Sequence, residues 1–178
     1  MTGKPNITLA GHMSDVAHSG QIYHNVQTGV PLPYRAHLQM VVDALKRFGV
    51  NDDEMLCAAY LHDSIEDTTT SYGDVEKEQG VGVAELVYAV TSELGRNRKE
   101  RNVRTYPKIR ANPRALILKL GDRIANVEFG IANGGKTEMY AREFPDFYRE
   151  LHKDFEVETA ESKVLDKMWK HLERLLKT

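Results

Sequence analysis

The sequence is poor in cysteine, has no surplus of either charge, and contains no long hydrophobic run. Its one cysteine, Cys57, excludes an intrachain disulfide and a thiolate cage, so a bound metal would need His, Asp or Glu ligands. The 24 basic and 26 acidic side chains leave a formal net charge of −2, whereas a general nucleic-acid binder normally carries a basic surplus. We therefore expect no nucleic-acid partner.

Membrane and export signals are also missing from the sequence. Its apolar stretches fall far short of the roughly 20 residues that cross a bilayer. The N-terminal segment does not place a charged region before an apolar one, as a secretory signal does. The sequence therefore predicts a cytoplasmic protein without a membrane partner.

What the sequence does contain is helical periodicity. Apolar residues recur every three or four positions between turn signals, whereas strand-like alternation is weak. The 178 residues, 41% of them hydrophobic, suit one globular domain. We predict an all-α, compact multi-helix bundle that is a single domain over residues 1–178, with a C-terminal helix at about 156–177 packed on its core. The sequence is also compatible with a homo-oligomer.

Three predicted helices carry the polar residues of interest. They are a helix with Pro33 in its first turn that stops at Gly49, a helix from Asp52 or Asp53 to about Asp67, and a helix from Asn112-Pro113 to Gly134-Gly135. His37 lies on the apolar stripe of the first helix. In the second, Glu66 follows His62 and Asp63 by one turn, and in the third Asp122 shares a face with aliphatic residues.

These positions favour a metal site. An unpaired charge in a protein interior costs several kcal/mol, so buried carboxylates need a cation. Together His37, His62, Asp63 and Asp122 would form a site of two imidazoles and two carboxylates. That set suits Mn²⁺, Fe²⁺, Zn²⁺ or Mg²⁺ better than Ca²⁺, and the ligand types do not choose among the four.

Each part of this site has an alternative interpretation. His37 would be an ordinary core histidine, and the acids near Asp67 would be a solvated helix end. Asp122 would pair with an arginine of another helix, because the adjacent Arg123 lies about 100° around its own helix.

The order His, His-Asp, Asp resembles the HD superfamily of metal-dependent phosphohydrolases. Five stretches are similar, in order and spacing, to the hydrolase domain of RelA/SpoT-type proteins and to the stand-alone small alarmone hydrolases. They are His18-Ser-Gly-Gln21, Gly29-Val-Pro-Leu-Pro-Tyr34-Arg-Ala-His37, Ala58-Ala-Tyr-Leu-His62-Asp63-Ser-Ile-Glu66-Asp67-Thr68, Val90-Thr91 and Lys119-Leu-Gly-Asp122-Arg123-Ile-Ala-Asn126. The motif-bearing core runs over about residues 16–150.

The resemblance implies hydrolysis of the 3′-pyrophosphate of guanosine tetra- or pentaphosphate by a metal-activated water. The partner would be this small nucleotide, and the cofactor would be one divalent ion, usually Mn²⁺, held by the four residues above. Glu66 and Asp67 match the family's catalytic pair, which orients the water and handles its proton. Asn126 matches the family's nucleotide-contacting Asn, and we also nominate Tyr140 as a substrate-binding residue.

Departures from the family pattern concern the substrate. Tyr23 and His24 stand where members commonly carry Arg-Lys against a guanine base, and Thr91-Ser92 stands where Thr-Lys is usual. An aromatic pair can still stack on a purine without the cationic surface. An adenosine alarmone, an NADPH-type 2′-phosphate or a deoxynucleoside triphosphate is therefore an alternative substrate, and a non-catalytic nucleotide sensor is a third interpretation.

A basic run lies between Gly95 and Arg110. Its seven basic residues are opposed by a single acid, Glu100. Such a run is either a solvated helix or loop, or a rim that steers phosphates toward the site. We nominate Arg98, Arg101 and Arg104 as substrate-binding residues.

Overall fold

A computed structural model describes residues 3–152 and 159–177, and most of these residues are helical. The elements, in chain order, are α1 (Ile7–Ala17), β1 (Ile22–His24), β2 (Pro31–Pro33), α2 (Arg35–Arg47), α3 (Asp53–Leu61), α4 (Ser64–Asp67), α5 (Tyr72–Gln79), α6 (Val81–Val90), α7 (Arg98–Ala111), α8 (Pro113–Asn133), α9 (Thr137–Leu151) and α10 (Ala160–Leu175). The all-α prediction is confirmed. The structure adds a small antiparallel hairpin in which Tyr23 of β1 is opposite Leu32 of β2.

Polar caps set the helix starts that carry the site. The Asp52 carboxylate accepts a hydrogen bond from the Met55 N–H and begins α3. The Asn112 side chain accepts from the Ala115 N–H, and a proline follows it at the first position of α8. Gly134, with φ of 71°, ends α8 in a backbone conformation that favours glycine. The predicted starts of these two helices and the end of α8 are therefore confirmed.

Two predicted boundaries are wrong. Pro33 ends the second hairpin strand and does not open α2, which begins at Arg35. Proline has no N–H to donate to the strand ladder, and it is tolerated there because each strand of a two-stranded sheet is an edge strand. The helix predicted to run to about Asp67 is split, with α3 ending at Leu61 and a short α4 following. The Ser64 hydroxyl donates to the Leu61 carbonyl at this break, where it competes with the helical backbone pattern.

Helix α8 is the centre of the bundle. It contacts α2, α3, α6, α7, α9 and α10. A Cβ at Gly121 would lie only 2.8 Å from Leu45 Cδ2, so α2 and α8 can approach this closely because position 121 has no side chain. This approach brings His37 of α2 beside Asp122 of α8.

The C-terminal helix α10 packs on α8, and its predicted first residues, 156–158, lie outside the described residues. Leu165, Met168 and Leu172 are fully buried on its inner face. Over residues 3–152 and 159–177, no helix combines the length and the apolar character that crossing a bilayer requires.

Candidate metal site and catalytic cleft

Helix α2, the turn between α3 and α4, and helix α8 bring the four predicted ligands together. His37 Nε2 lies 3.5 Å from Asp63 Oδ2 and 3.4 Å from Asp122 Oδ1. His62 Nε2 lies 3.1 and 3.7 Å from the same two oxygen atoms. Ligand atoms of His37, His62 and Asp63 all lie within 4.8 Å of one another. Both histidines are buried, so these donors face each other rather than water.

The donors fit a divalent ion. His62 Nδ1 lies 2.9 Å from the Ala59 carbonyl oxygen, which only accepts, so this ring nitrogen donates. His62 Nε2 is buried and faces the two carboxylates outside hydrogen-bonding geometry. In a metal-binding histidine, one ring nitrogen usually donates a hydrogen bond, which fixes the tautomer and leaves the other nitrogen available to the metal. Two imidazoles and two carboxylates are a ligand set suited to first-row divalent metals.

The pKa shifts of the clustered side chains show that the carboxylates need a positively charged partner. Burial alone lowers the pKa of His62, but Asp63 and Asp122 raise it to about 10. The same two carboxylates raise the pKa of His37 against the effect of burial. Burial raises the pKa of Asp122, but the charge of Lys119 and the two histidines hold it well below its usual range. The two carboxylates thus favour the positively charged form of both rings, and a divalent cation would meet the same need for a positive partner.

Glu66 and Asp67 lie on α4, beside these ligands. Glu66 Oε2 accepts a hydrogen bond of 2.9 Å from the Ser92 N–H, and Glu66 Oε1 lies 3.9 Å from Arg101 Nη1. Burial and then the charges of Asp63 and Glu66 raise the pKa of Asp67. Asp67 therefore holds a proton to higher pH than an ordinary aspartate, as a general acid must.

A cleft of about 480 Å³ opens over the cluster, which is a volume typical of small-molecule sites. Its lining includes three of the four predicted ligands and both predicted catalytic acids. It also includes five of the seven predicted substrate-binding residues, which are Tyr23, His24, Arg98, Asn126 and Tyr140.

The other two nominated residues lie outside the lining of the cleft. Arg101 faces Glu66, and Arg104 donates to the Leu94 carbonyl at 2.7 Å and to Glu100 at 2.8 Å. The predicted basic rim is therefore divided, because only Arg98 of these three arginines lines the cleft.

Three residues that shape the site were not predicted. Lys119 donates to Asp122 Oδ2 at 2.9 Å, and its spacing of three residues along one helix would have revealed this pair. Tyr34 donates to Asp63 Oδ2 at 2.5 Å, a contact for which the sequence holds no local signal. Arg123 is buried with its guanidinium 3.8 Å from the centre of the Phe147 ring, so it turns away from Asp122.

The model of the HD domain family matches residues 16–154 of this sequence. The chain therefore belongs to the HD domain family. It is 32% identical over 146 residues to the guanosine-3′,5′-bis(diphosphate) 3′-pyrophosphohydrolase of Aquifex aeolicus, and the matched stretch covers 79% of this chain and 21% of that protein. It is 35% identical over 144 residues to the bifunctional (p)ppGpp synthase/hydrolase SpoT of Escherichia coli, covering 76% of this chain and 20% of that protein. The chain spans about a fifth of the length of these bacterial relatives.

A solved structure of similar size has the same fold. It is described as a metazoan ortholog of SpoT that hydrolyzes ppGpp and plays a role in starvation responses. Its TM-score to this chain is 0.71 at 25% sequence identity, over 92% of this chain and 93% of that one. The similarity to the RelA/SpoT-type hydrolases predicted from the motifs is thus confirmed.

Proposed function

We propose that this chain is a metal-dependent hydrolase that removes the 3′-pyrophosphate of a purine alarmone such as guanosine tetra- or pentaphosphate. The observation that carries the proposal is the cluster of His37, His62, Asp63 and Asp122 at the floor of a cleft, in a fold that matches a SpoT ortholog over nine-tenths of its length. On this proposal residues 1–178 act as one domain, and the protein is cytoplasmic and needs no nucleic acid.

The four clustered side chains would hold one divalent ion, for which we propose Mn²⁺, with Fe²⁺, Zn²⁺ and Mg²⁺ as alternatives. Such an ion supplies Lewis acidity, which lowers the pKa of a water molecule and polarises a phosphoryl oxygen. Lys119 and Asn126 hold the Asp122 carboxylate from the side of α8, at 2.9 and 2.6 Å. The ligand that comes from the long helix is therefore oriented before an ion arrives.

Glu66 and Asp67 divide the proton transfers in this mechanism. Glu66, fixed by the Ser92 N–H, orients the attacking water and accepts a proton as the water oxygen bonds to phosphorus. The bond between that phosphorus and the ribose 3′-oxygen breaks, and pyrophosphate is released. Asp67 gives a proton to the departing 3′-oxygen, a role that its raised pKa favours.

The substrate-contacting residues stand at two parts of the cleft. Tyr23, His24 and Asn126 line the side formed by the hairpin and α8, whereas Arg98 and Tyr140 line the side formed by α7 and α9. We propose that the second group meets phosphate oxygens, because a guanidinium is suited to bind them.

The test is hydrolysis of guanosine and adenosine 3′-pyrophosphates side by side by the metal-stripped protein with Mn²⁺ restored. Release of pyrophosphate together with the nucleoside 5′-phosphate species supports the proposal, and a chelator should stop the reaction. Orthophosphate or tripolyphosphate released only from other nucleotides, with deoxynucleoside triphosphates and NADPH in the panel, supports a different HD phosphohydrolase. Tight nucleotide binding without turnover of the panel would establish a sensor.

A second candidate substrate is favoured by the hairpin. Tyr23 and His24 give this wall of the cleft an aromatic surface without a permanent cation. Stacking on an aromatic ring does not distinguish the purines as strongly as hydrogen bonds from cationic donors do. The adenosine 3′-pyrophosphate in the panel tests this candidate directly, since turnover equal to that of the guanosine compound is the expected result.

A further inference from the structure

The two tyrosines of the hairpin region contact the candidate metal site from the same side. Tyr23 lies in β1, and Tyr34 follows β2 directly at the start of α2. Their rings meet edge to face, with centroids 6.4 Å apart. We propose that Tyr23 and Tyr34 are positioning residues, which fix the two carboxylate ligands Asp63 and Asp122 in place for the ion.

Tyr34 holds one carboxylate directly. Its hydroxyl donates to Asp63 Oδ2 at 2.5 Å, because a carboxylate oxygen facing a phenol accepts. The ring itself is fixed by stacking on His18, with centroids 4.5 Å apart and planes at 19°. His18 is in turn held by Gln21, whose Oε1 lies 2.8 Å from His18 Nδ1. The phenol therefore reaches Asp63 from a rigid support.

Tyr23 holds the other carboxylate through an amide. Its hydroxyl donates to Asn126 Oδ1 at 2.8 Å, and Asn126 Nδ2 donates to Asp122 Oδ1 at 2.6 Å. The first bond also decides which end of the amide faces the ligand, because an amide oxygen held by a phenol leaves the NH₂ group for Asp122. Without the hydroxyl, the amide loses this constraint.

The ring of Tyr23 has a second contact in the site. It stacks on His37, with centroids 5.0 Å apart and planes at 17°. Among the described residues, none forms a hydrogen bond with His37 Nδ1, which is buried. Metal-bound histidines are usually oriented by a hydrogen bond at the second ring nitrogen. In this chain the stacked tyrosine supplies the orientation instead.

Matched variants test the inference, which rests on the proposed metal site. The readout is the Mn²⁺ dissociation constant of metal-stripped protein, measured by electron paramagnetic resonance of free Mn²⁺, together with thermal unfolding of the metal-free form. Removing an outer-shell partner typically weakens metal binding about 10- to 100-fold. We expect that range for Tyr34→Phe and a loss at its lower end for Tyr23→Phe, which keeps the ring on His37.

Tyr60→Phe is the control, because Tyr60 is a buried tyrosine whose hydroxyl donates to Gln39 at 2.6 Å. It should change the dissociation constant less than about twofold, well under the outer-shell range. A further readout separates positioning from general packing: in an Asn126→Ala background, Tyr23→Phe should cause no additional loss of Mn²⁺ affinity.

Two results would overturn the inference in distinguishable ways. If wild-type protein binds Mn²⁺ and both tyrosine variants bind it as tightly, the tyrosines do not position the ligands, while the proposed function stands. If the wild-type protein binds no divalent metal, the proposed function falls and the inference with it. Should one variant not fold, the other decides, since each tyrosine acts on a different carboxylate.

Discussion

The two ends of the cleft balance their charges differently. At the metal end, the largely buried carboxylates of Asp63 and Asp122 face one lysine and two imidazoles, and they raise the pKa of both imidazoles. At the far end, Arg98 and Arg123 share a single carboxylate, Glu143, at 2.5 Å from Arg98 Nε and 3.3 Å from Arg123 Nη2. The cations of the far end have a partner from within the chain, whereas the acids of the metal end are arranged for an ion.

Acidic and basic clusters differ in how strongly they indicate a bound ligand. Burying carboxylates is unfavourable enough that an acidic cluster on apolar helix faces indicates a cation. A run of basic residues carries less information, because long cationic side chains reach neighbouring acids and carbonyls easily. Arg104, bound to Leu94 and Glu100, is an example of such internal pairing within the run.

The largest effect is expected from removing a ligand at the metal end. Asp122→Ala should lose the bound ion and, because a catalytic metal supplies several kcal/mol, at least about 10³-fold in hydrolysis. The metal content of the purified protein and its rate of pyrophosphate release are the measurements. Asp166→Ala, which removes an exposed carboxylate on α10, should leave both unchanged. Equal Mn²⁺ occupancy in wild type and Asp122→Ala would remove Asp122 from the ligand set.

The substitution Glu66→Gln separates the chemical step at the metal end from the binding of the metal. The amide keeps the size of the side chain but accepts no proton, so we expect full Mn²⁺ loading and a turnover about 10²- to 10⁴-fold lower. Single-turnover kinetics with metal-saturated protein give the chemical step. Glu85→Gln on the exposed side of α6 is the matched control. A Glu66→Gln variant as fast as wild type would show that Glu66 is not the base.

The pH dependence of the stability of the metal-free protein tests the charge balance at the metal end. The pKa of His62 is raised to about 10 from its usual 6.5, so this histidine contributes stability that is complete below pH 6.5 and is lost as the pH rises toward 10. With a chelator present, the urea midpoint should fall across this window, and His62→Asn should reduce the fall. A midpoint that stays level in wild type over the window would contradict this charge balance.

The smallest effects are expected at the far end, where two arginines of α7 can be compared. Arg98→Ala should raise KM about tenfold, which corresponds to about 1.4 kcal/mol, because Arg98 lines the cleft. Arg104→Ala should change KM less than about twofold, since Arg104 lies outside the lining of the cleft. Steady-state kinetics on the guanosine 3′-pyrophosphate measure both. Equal changes would mean that the run acts as a diffuse field rather than through Arg98.

Much of the candidate site follows from helical spacing. The apolar stripe around His37 and the aliphatic face around Asp122 predict side chains that point inward, and α2 and α8 place them together. The break between α3 and α4 was not predictable in this way, because it depends on how Ser64 bonds to the backbone. The hairpin was not predictable either, since strands of three residues are too short to show an alternating pattern.

Local sequence specifies the helices and their caps, whereas packing decides the contacts between segments that are distant in the chain. Helix faces, caps and the Lys119–Asp122 pair depend on residues a few positions apart, so their physical causes can be found in a short stretch of chain. The bond from Tyr23 to Asn126 and the ion pair of Arg98 with Glu143 join residues far apart in sequence. Long polar side chains have several possible partners, and only the packing of α7, α8, α9 and the hairpin selects among them.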